Sequence, residues 1–218
     1  MYSWEIKNRQ SETLPLSNLP SKILTFHPAF MSDQLAPEIA LLLPTIAGTK
    51  SVLDQVEKNP STFIDVAVGL FLQDVSINFS KTISTLQKAN VKWVCNLPTT
   101  SQYDNEFKLY LSEVGMGVQK EVEMLSAFKK LGFKTMAIAS SEKDALAFLH
   151  SNPDALAILP PVTTFTAGFP SLKLRKKLEM FLRTVLMKNS FKGVYLVYRK
   201  DEESIKETQS HILRPRMV

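Results

Sequence analysis

Two rhythms of apolar and polar positions alternate along this chain. Thr62–Leu72 is a near-continuous apolar run, as expected of a strand covered on both faces. Ser80 then suits the cap of a helix with apolar Ile83, Leu86 and Ala89, and Asn90 suits a left-handed stop. Val91–Asn96 repeats the strand pattern. After a long loop or short helix over 97–112, Val118, Val122, Leu125, Phe128 and Leu131 form a helical stripe that Gly132 ends. Phe133–Ala139 predicts the next strand, Ser141 opens a capped helix running through Leu149, and Asp154–Leu159 predicts another strand before Pro160 and Pro161. Residues 171–189 predict a long amphipathic helix, Lys192–Tyr198 a strand, 201–210 a polar helix and 212–218 a last strand.

The first third is less regular. Residues 1–21 are polar, carry Pro15 and Pro20, and read as an N-terminal arm. Lys22–Pro28 is a short β-like run, and 33–58 looks helical in two pieces, with Pro37 in a first turn and Pro44 breaking the pattern. Residues 22–218 read as a single α/β domain. Strands each followed by a helix imply a parallel sheet, either open and doubly wound or closed into a (β/α) barrel. Periodicity does not choose between them.

Composition narrows the setting. With 44% hydrophobic residues the chain can bury a substantial core, and 22% charged residues is ordinary for a globular protein. The net charge of +5 permits an anionic ligand without demanding nucleic acid. The apolar runs are too short for a membrane helix, and the N-terminus lacks the apolar core of a signal peptide. One cysteine, Cys95, allows no internal disulfide, which suits a cytoplasmic protein. It reads as a small buried hydrophobe.

Candidate chemistry gathers after the strands. Asn96 ends one strand. Glu113 lies in the following loop, and Gly115 and Gly117 stand where backbone N–H groups could meet an anion at a helix start. Glu121 and Glu123 point away from each other on a helix and read as solvated or paired with lysines. Thr163, Thr164, Thr166 and Gly168 follow a strand and precede a helix, a setting for phosphate or carboxylate binding. His27 sits at a strand end, His150 at a helix end and His211 near the terminus, without metal-site spacing. Lys173, Arg175, Lys176, Lys177, Arg183 and Lys188 make the 171–189 helix basic, while Leu174, Leu178, Phe181 and Val185 read as its core stripe.

Three strings then occur in register. They are Asn96-Leu-Pro-Thr99, Leu111-Ser-Glu-Val-Gly-Met-Gly117 and Glu121-Val-Glu-Met-Leu125. They resemble the phosphoenolpyruvate hydrolase-like, or TIM-barrel signal-transduction, proteins over about 80 residues. The resemblance implies a (β/α) TIM-type barrel. It is expected to be incomplete or seven-stranded, because the N-terminus offers little room for the first βα unit. Residues 1–21 or a partner subunit would then cover the open edge. The resemblance further implies a small anionic metabolite held at the carboxyl face of the strands. Glu113 would be the candidate catalytic group, and Asn96, Gly115, Gly117, Thr163, Thr164 and His27 would be binding residues. If active, such an enzyme would be a lyase or hydrolase of phosphoenolpyruvate-like or acyl substrates, with Mg²⁺ as a candidate cofactor. Two family histidines are absent. Their places fall on Leu159 and near Tyr198-Arg199-Lys200, which removes the obvious acid–base groups. The competing expectation is a non-catalytic regulatory or interaction scaffold acting as a homo-oligomer.

Overall fold

The computed structural model describes residues 1–7, 19–28, 35–43, 48–165, 170–199 and 211–215. Eight strands close a barrel in chain order: β1 (Tyr2–Lys7), β2 (Lys22–Thr25), β3 (Val66–Gly69), β4 (Trp93–Cys95), β5 (Lys134–Ala139), β6 (Ala155–Ile158), β7 (Val194–Tyr198) and β8 (His211–Pro215). The pairs from β2 to β8 are parallel, as the βα rhythm requires. The fold class is therefore the expected (β/α) barrel, but it lacks no strand.

The strand that completes it comes from the segment expected to be an arm. β1 runs antiparallel to both β2 and β8, with Trp4 opposite Ile23 on one side and Pro215 on the other. Tyr2, Trp4 and Ile6 alternate into the core, the period-2 signature of a strand. Tyr2 meets Trp4 edge-on at 5.8 Å, and Trp4 packs on Tyr198 at 5.9 Å, tying β1 to β7. The expected N-terminal arm thus contains a strand, and the alternation of Tyr2, Trp4 and Ile6 is plain in the sequence itself.

The helices are α1 (Pro37–Ala40), α2 (Gly48–Lys58), α3 (Phe79–Lys88), α4 (Asn105–Glu113), α5 (Val118–Lys130), α6 (Glu142–Leu149) and α7 (Leu172–Lys188). Local chemistry sets most of their ends. The Ser141 hydroxyl accepts from the Asp144 N–H at the start of α6, and Asn90 takes a φ of 53° after α3. The cap of α3 is Asn78, two residues before the expected Ser80. The apolar run from Thr62 is interrupted by a 3-10 turn over Pro60–Phe63, so β3 starts only at Val66.

The face of α7 is also rotated from expectation. Leu182, Val185 and Leu186 are buried with Arg175, while Leu174 and Phe181 are exposed. The aliphatic part of Arg175 takes a core position, and its guanidinium donates to the carbonyls of Pro170 and Tyr198. The polar helix expected over 201–210 lies outside the described residues.

Candidate functional site

Because β2 to β8 are parallel, the loops after β2, β3 and β4 open on one end of the barrel. Between them lies a cleft of about 610 Å³. Phe26 follows β2, and Phe71, Gln73 and Asp74 follow β3. Tyr103 follows β4, and Met116 lies in the turn between α4 and α5. On another side the cleft is walled by Gly48, Thr49 and Lys50, the first turn of α2. The N-terminal end of an 11-residue helix carries partial positive charge and orphan N–H groups, and Lys50 adds a full charge. The Thr49 hydroxyl is buried and accepts from the Phe71 N–H at 3.1 Å, which locks α2 against the loop after β3.

Two residues of the β3 loop with side-chain acceptors, Gln73 and Asp74, line the same cleft. The Asp74 carboxylate accepts from the Ser76 N–H and hydroxyl at 2.9 and 2.6 Å. Gln73 is 4% exposed, and its Nε2 donates to the Gly117 carbonyl at 2.6 Å. Its Oε1 is buried with no hydrogen-bond partner among the described residues.

Beside the cleft, the loop after β4 is clamped by two buried carboxylates. Glu121, in the first turn of α5, is fully buried. It accepts from Asn96 Nδ2 (2.5 Å), the Thr99 hydroxyl (2.7 Å), the Thr100 N–H (2.7 Å) and the Thr100 hydroxyl (2.8 Å). Burial pushes its carboxyl above the ordinary glutamate range, against the pull of those donors. Asp144 accepts from the hydroxyls of Ser101 and Ser141 at 2.8 and 2.7 Å and pairs with Lys108 at 3.0 Å. The expectation that Glu121 is solvated is thus wrong. Helical spacing alone put it outside, but partners 21 to 25 residues upstream receive it.

The residues singled out from sequence fare unevenly. Asn96 is buried, and its amide is fully engaged: Oδ1 accepts from the Ile138 N–H at 2.7 Å, while Nδ2 serves Glu121, Thr99 and the Ile138 carbonyl. It joins β4 to β5. Glu113 ends α4, exposed, and joins none of the hydrogen bonds around Asn96. Gly115, at φ +72°, is the left-handed stop of α4, where the Met116 N–H returns to the Leu111 carbonyl at 2.7 Å. Gly117 caps α5 so closely against α4 that an added Cβ would sit 3.0 Å from Ser112 Cα. The pair therefore shapes the turn that presents Met116 to the cleft.

His27 is exposed beside the cleft residue Phe26, with Nδ1 3.0 Å from the Pro28 carbonyl oxygen. Thr163 and Thr164 lie in a 3-10 turn after β6, the Thr164 hydroxyl donating to the Pro161 carbonyl at 2.7 Å. That turn borders a separate, mostly apolar hollow against Leu174 and Phe181. Thr166 and Gly168 lie outside the described residues. Leu159 and Cys95 are fully buried, and burial raises the Cys95 thiol far above its normal pKa. Arg199 is held by both carboxylate oxygens of Glu179. Among the described residues no group of three or more His, Cys, Asp or Glu could hold a metal ion, and no helix is long and apolar enough to cross a membrane.

Sequence reasoning missed the cleft's chief polar features. Gln73 and the start of α2 carry no motif, and the break at Pro44 before a Gly-Thr-Lys-Ser run was the one available signal.

The fold and its strand-end cleft define a (β/α) barrel with a ligand-sized opening at the carboxyl face. The chain belongs to the phosphoenolpyruvate hydrolase-like family, whose model matches residues 45–191. It is 28% identical over 128 residues to the ToMV resistance protein Tm-1(GCR237) of Solanum lycopersicum, and 27% over 128 residues to the ToMV susceptible protein tm-1(GCR26) of the same plant. Each match covers 58% of this chain and 17% of the tomato protein. An uncharacterized protein, y4oT, of Sinorhizobium fredii is 27% identical over 101 residues, which is 46% of this chain and 52% of that one. The chain thus spans a fraction of the tomato proteins and about half of the bacterial one.

Proposed function

We propose that this protein binds a small anionic metabolite in the cleft at the carboxyl ends of β2, β3 and β4. The observation that carries the reading is the first turn of α2, Gly48 to Lys50, lining a cleft of ligand size. Helix N–H groups and an ammonium group together suit a carboxylate or phosphate. The family name directs attention to phosphoenolpyruvate-like compounds. The reading assigns binding and leaves chemistry unassigned: Leu159 offers no proton, and the Arg199 guanidinium is engaged by Glu179.

Thermal-shift measurements with phosphoenolpyruvate, oxaloacetate and inorganic phosphate, each with and without Mg²⁺, test it. A ligand at 100 times its dissociation constant stabilises by about 2.7 kcal/mol, enough for a shift of a few degrees in a chain of this size. Lys50→Ala is expected to reduce the shift and Glu113→Ala to leave it. Absence of any shift with every anion would reject the site, and loss in Glu113→Ala alone would move it to the α4–α5 turn.

A second reading has one supporting observation. α4 has no buried residue and exposes Phe107, Tyr110 and Val114 along one face. Such a face favours a scaffold that associates with a second copy of itself.

A further inference from the structure

The Gln73 amide adds to the cleft a feature that neither the family name nor the helix terminus implies. This inference rests on the proposed cleft. The Gly117 carbonyl requires Nε2 on its side, so the amide cannot turn over without setting oxygen against oxygen. Oε1 is thereby fixed as an acceptor, within a residue that lines the cleft, and it has no hydrogen-bond partner among the described residues. A buried acceptor left unpaired is costly, and a ligand that supplies a donor removes that cost. The adjacent Asp74 carboxylate has its two bonds from Ser76 and reinforces the acceptor character of this wall. Gly48 to Lys50, which line the same cleft, add a positive helix end and an ammonium group.

The two sets of groups are complementary to a molecule with an anionic head and a hydrogen-bond donor beside it. We infer that the cleft takes a small hydroxy or amino acid: carboxylate or phosphate toward the start of α2, hydroxyl or ammonium toward Gln73 Oε1. Phosphoenolpyruvate in its fully ionised form has no donor and meets only one of the two sets. Its hydrated counterpart, 2-phosphoglycerate, carries a hydroxyl and meets both.

Titration calorimetry on the full chain tests this with matched ligands. Propanoate, lactate and alanine share a carboxylate and differ in bearing no donor, a hydroxyl or an ammonium group. Phosphoenolpyruvate and 2-phosphoglycerate form a second comparison. The donor-bearing member of each set is expected to bind at least about tenfold more tightly. Whether lactate or alanine binds better identifies the donor. Gln73→Leu is expected to bring the ratios close to one. Lys50→Ala should weaken all members and preserve the ratios. Equal affinities within each set for the wild-type protein would overturn the inference while leaving the anion cleft in place. No binding by any member would overturn the cleft itself. Should Gln73→Leu fail to fold, the wild-type ratios still decide.

Discussion

Asn96 and Glu121 carry much of the local order at the open end of the barrel. Each uses its side chain to satisfy groups from another element. Asn96→Ala would strip a partner from the buried Glu121 carboxylate and from the Ile138 N–H together. A loss of about 3 kcal/mol in unfolding free energy is expected, read from urea denaturation. A residue that served only ligand binding would show no such loss. Glu121 makes a pH prediction. A carboxyl whose pKa is higher folded than unfolded contributes stability in full below its ordinary value of 4.5 and loses it as pH rises through the raised value. The wild-type unfolding free energy is therefore expected to fall from pH 5 upward by more than that of Glu121→Gln, which has no proton to lose. Parallel slopes in the two proteins would contradict the burial argument. Neither role could be read locally. Asn96 stood out for its place at a strand end, which is correct, but the groups it meets are 25 and 42 residues away.

Helices were the more legible elements and strands the less. Ser141, Asn90 and the stripe of α5 name their own structures, because a cap or a stripe is decided within one or two turns of chain. α7 misled because Leu174 and Phe181 are as apolar as core residues, and only the packed barrel shows that Arg175 takes the inner position. β1 was lost among polar neighbours. Its importance can be measured: Trp4 is completely buried between β2 and β8, so Trp4→Ala is expected to cost about 3–5 kcal/mol. A mutant whose melting temperature stays within a degree or two of wild type would show that β1 is dispensable to closure.

The closed barrel changes what the remaining surface implies. With β1 in place there is no open sheet edge to pair with a partner, so the case for self-association moves from the sheet to α4. Phe107→Lys combined with Tyr110→Glu is expected to convert an oligomer to a monomer in light scattering while leaving the melting temperature nearly unchanged, since neither side chain is buried. A wild-type protein that is already monomeric at tens of micromolar would remove that reading. The βα rhythm, the helix ends and the family strings were all present in the chain itself, because each depends on neighbours a few residues apart. The antiparallel closure by β1, the burial of Glu121, and a cleft assembled from loops after three strands belong to the tertiary structure. They arise where segments tens of residues apart exclude water from the same space, and no local pattern records which segments those will be.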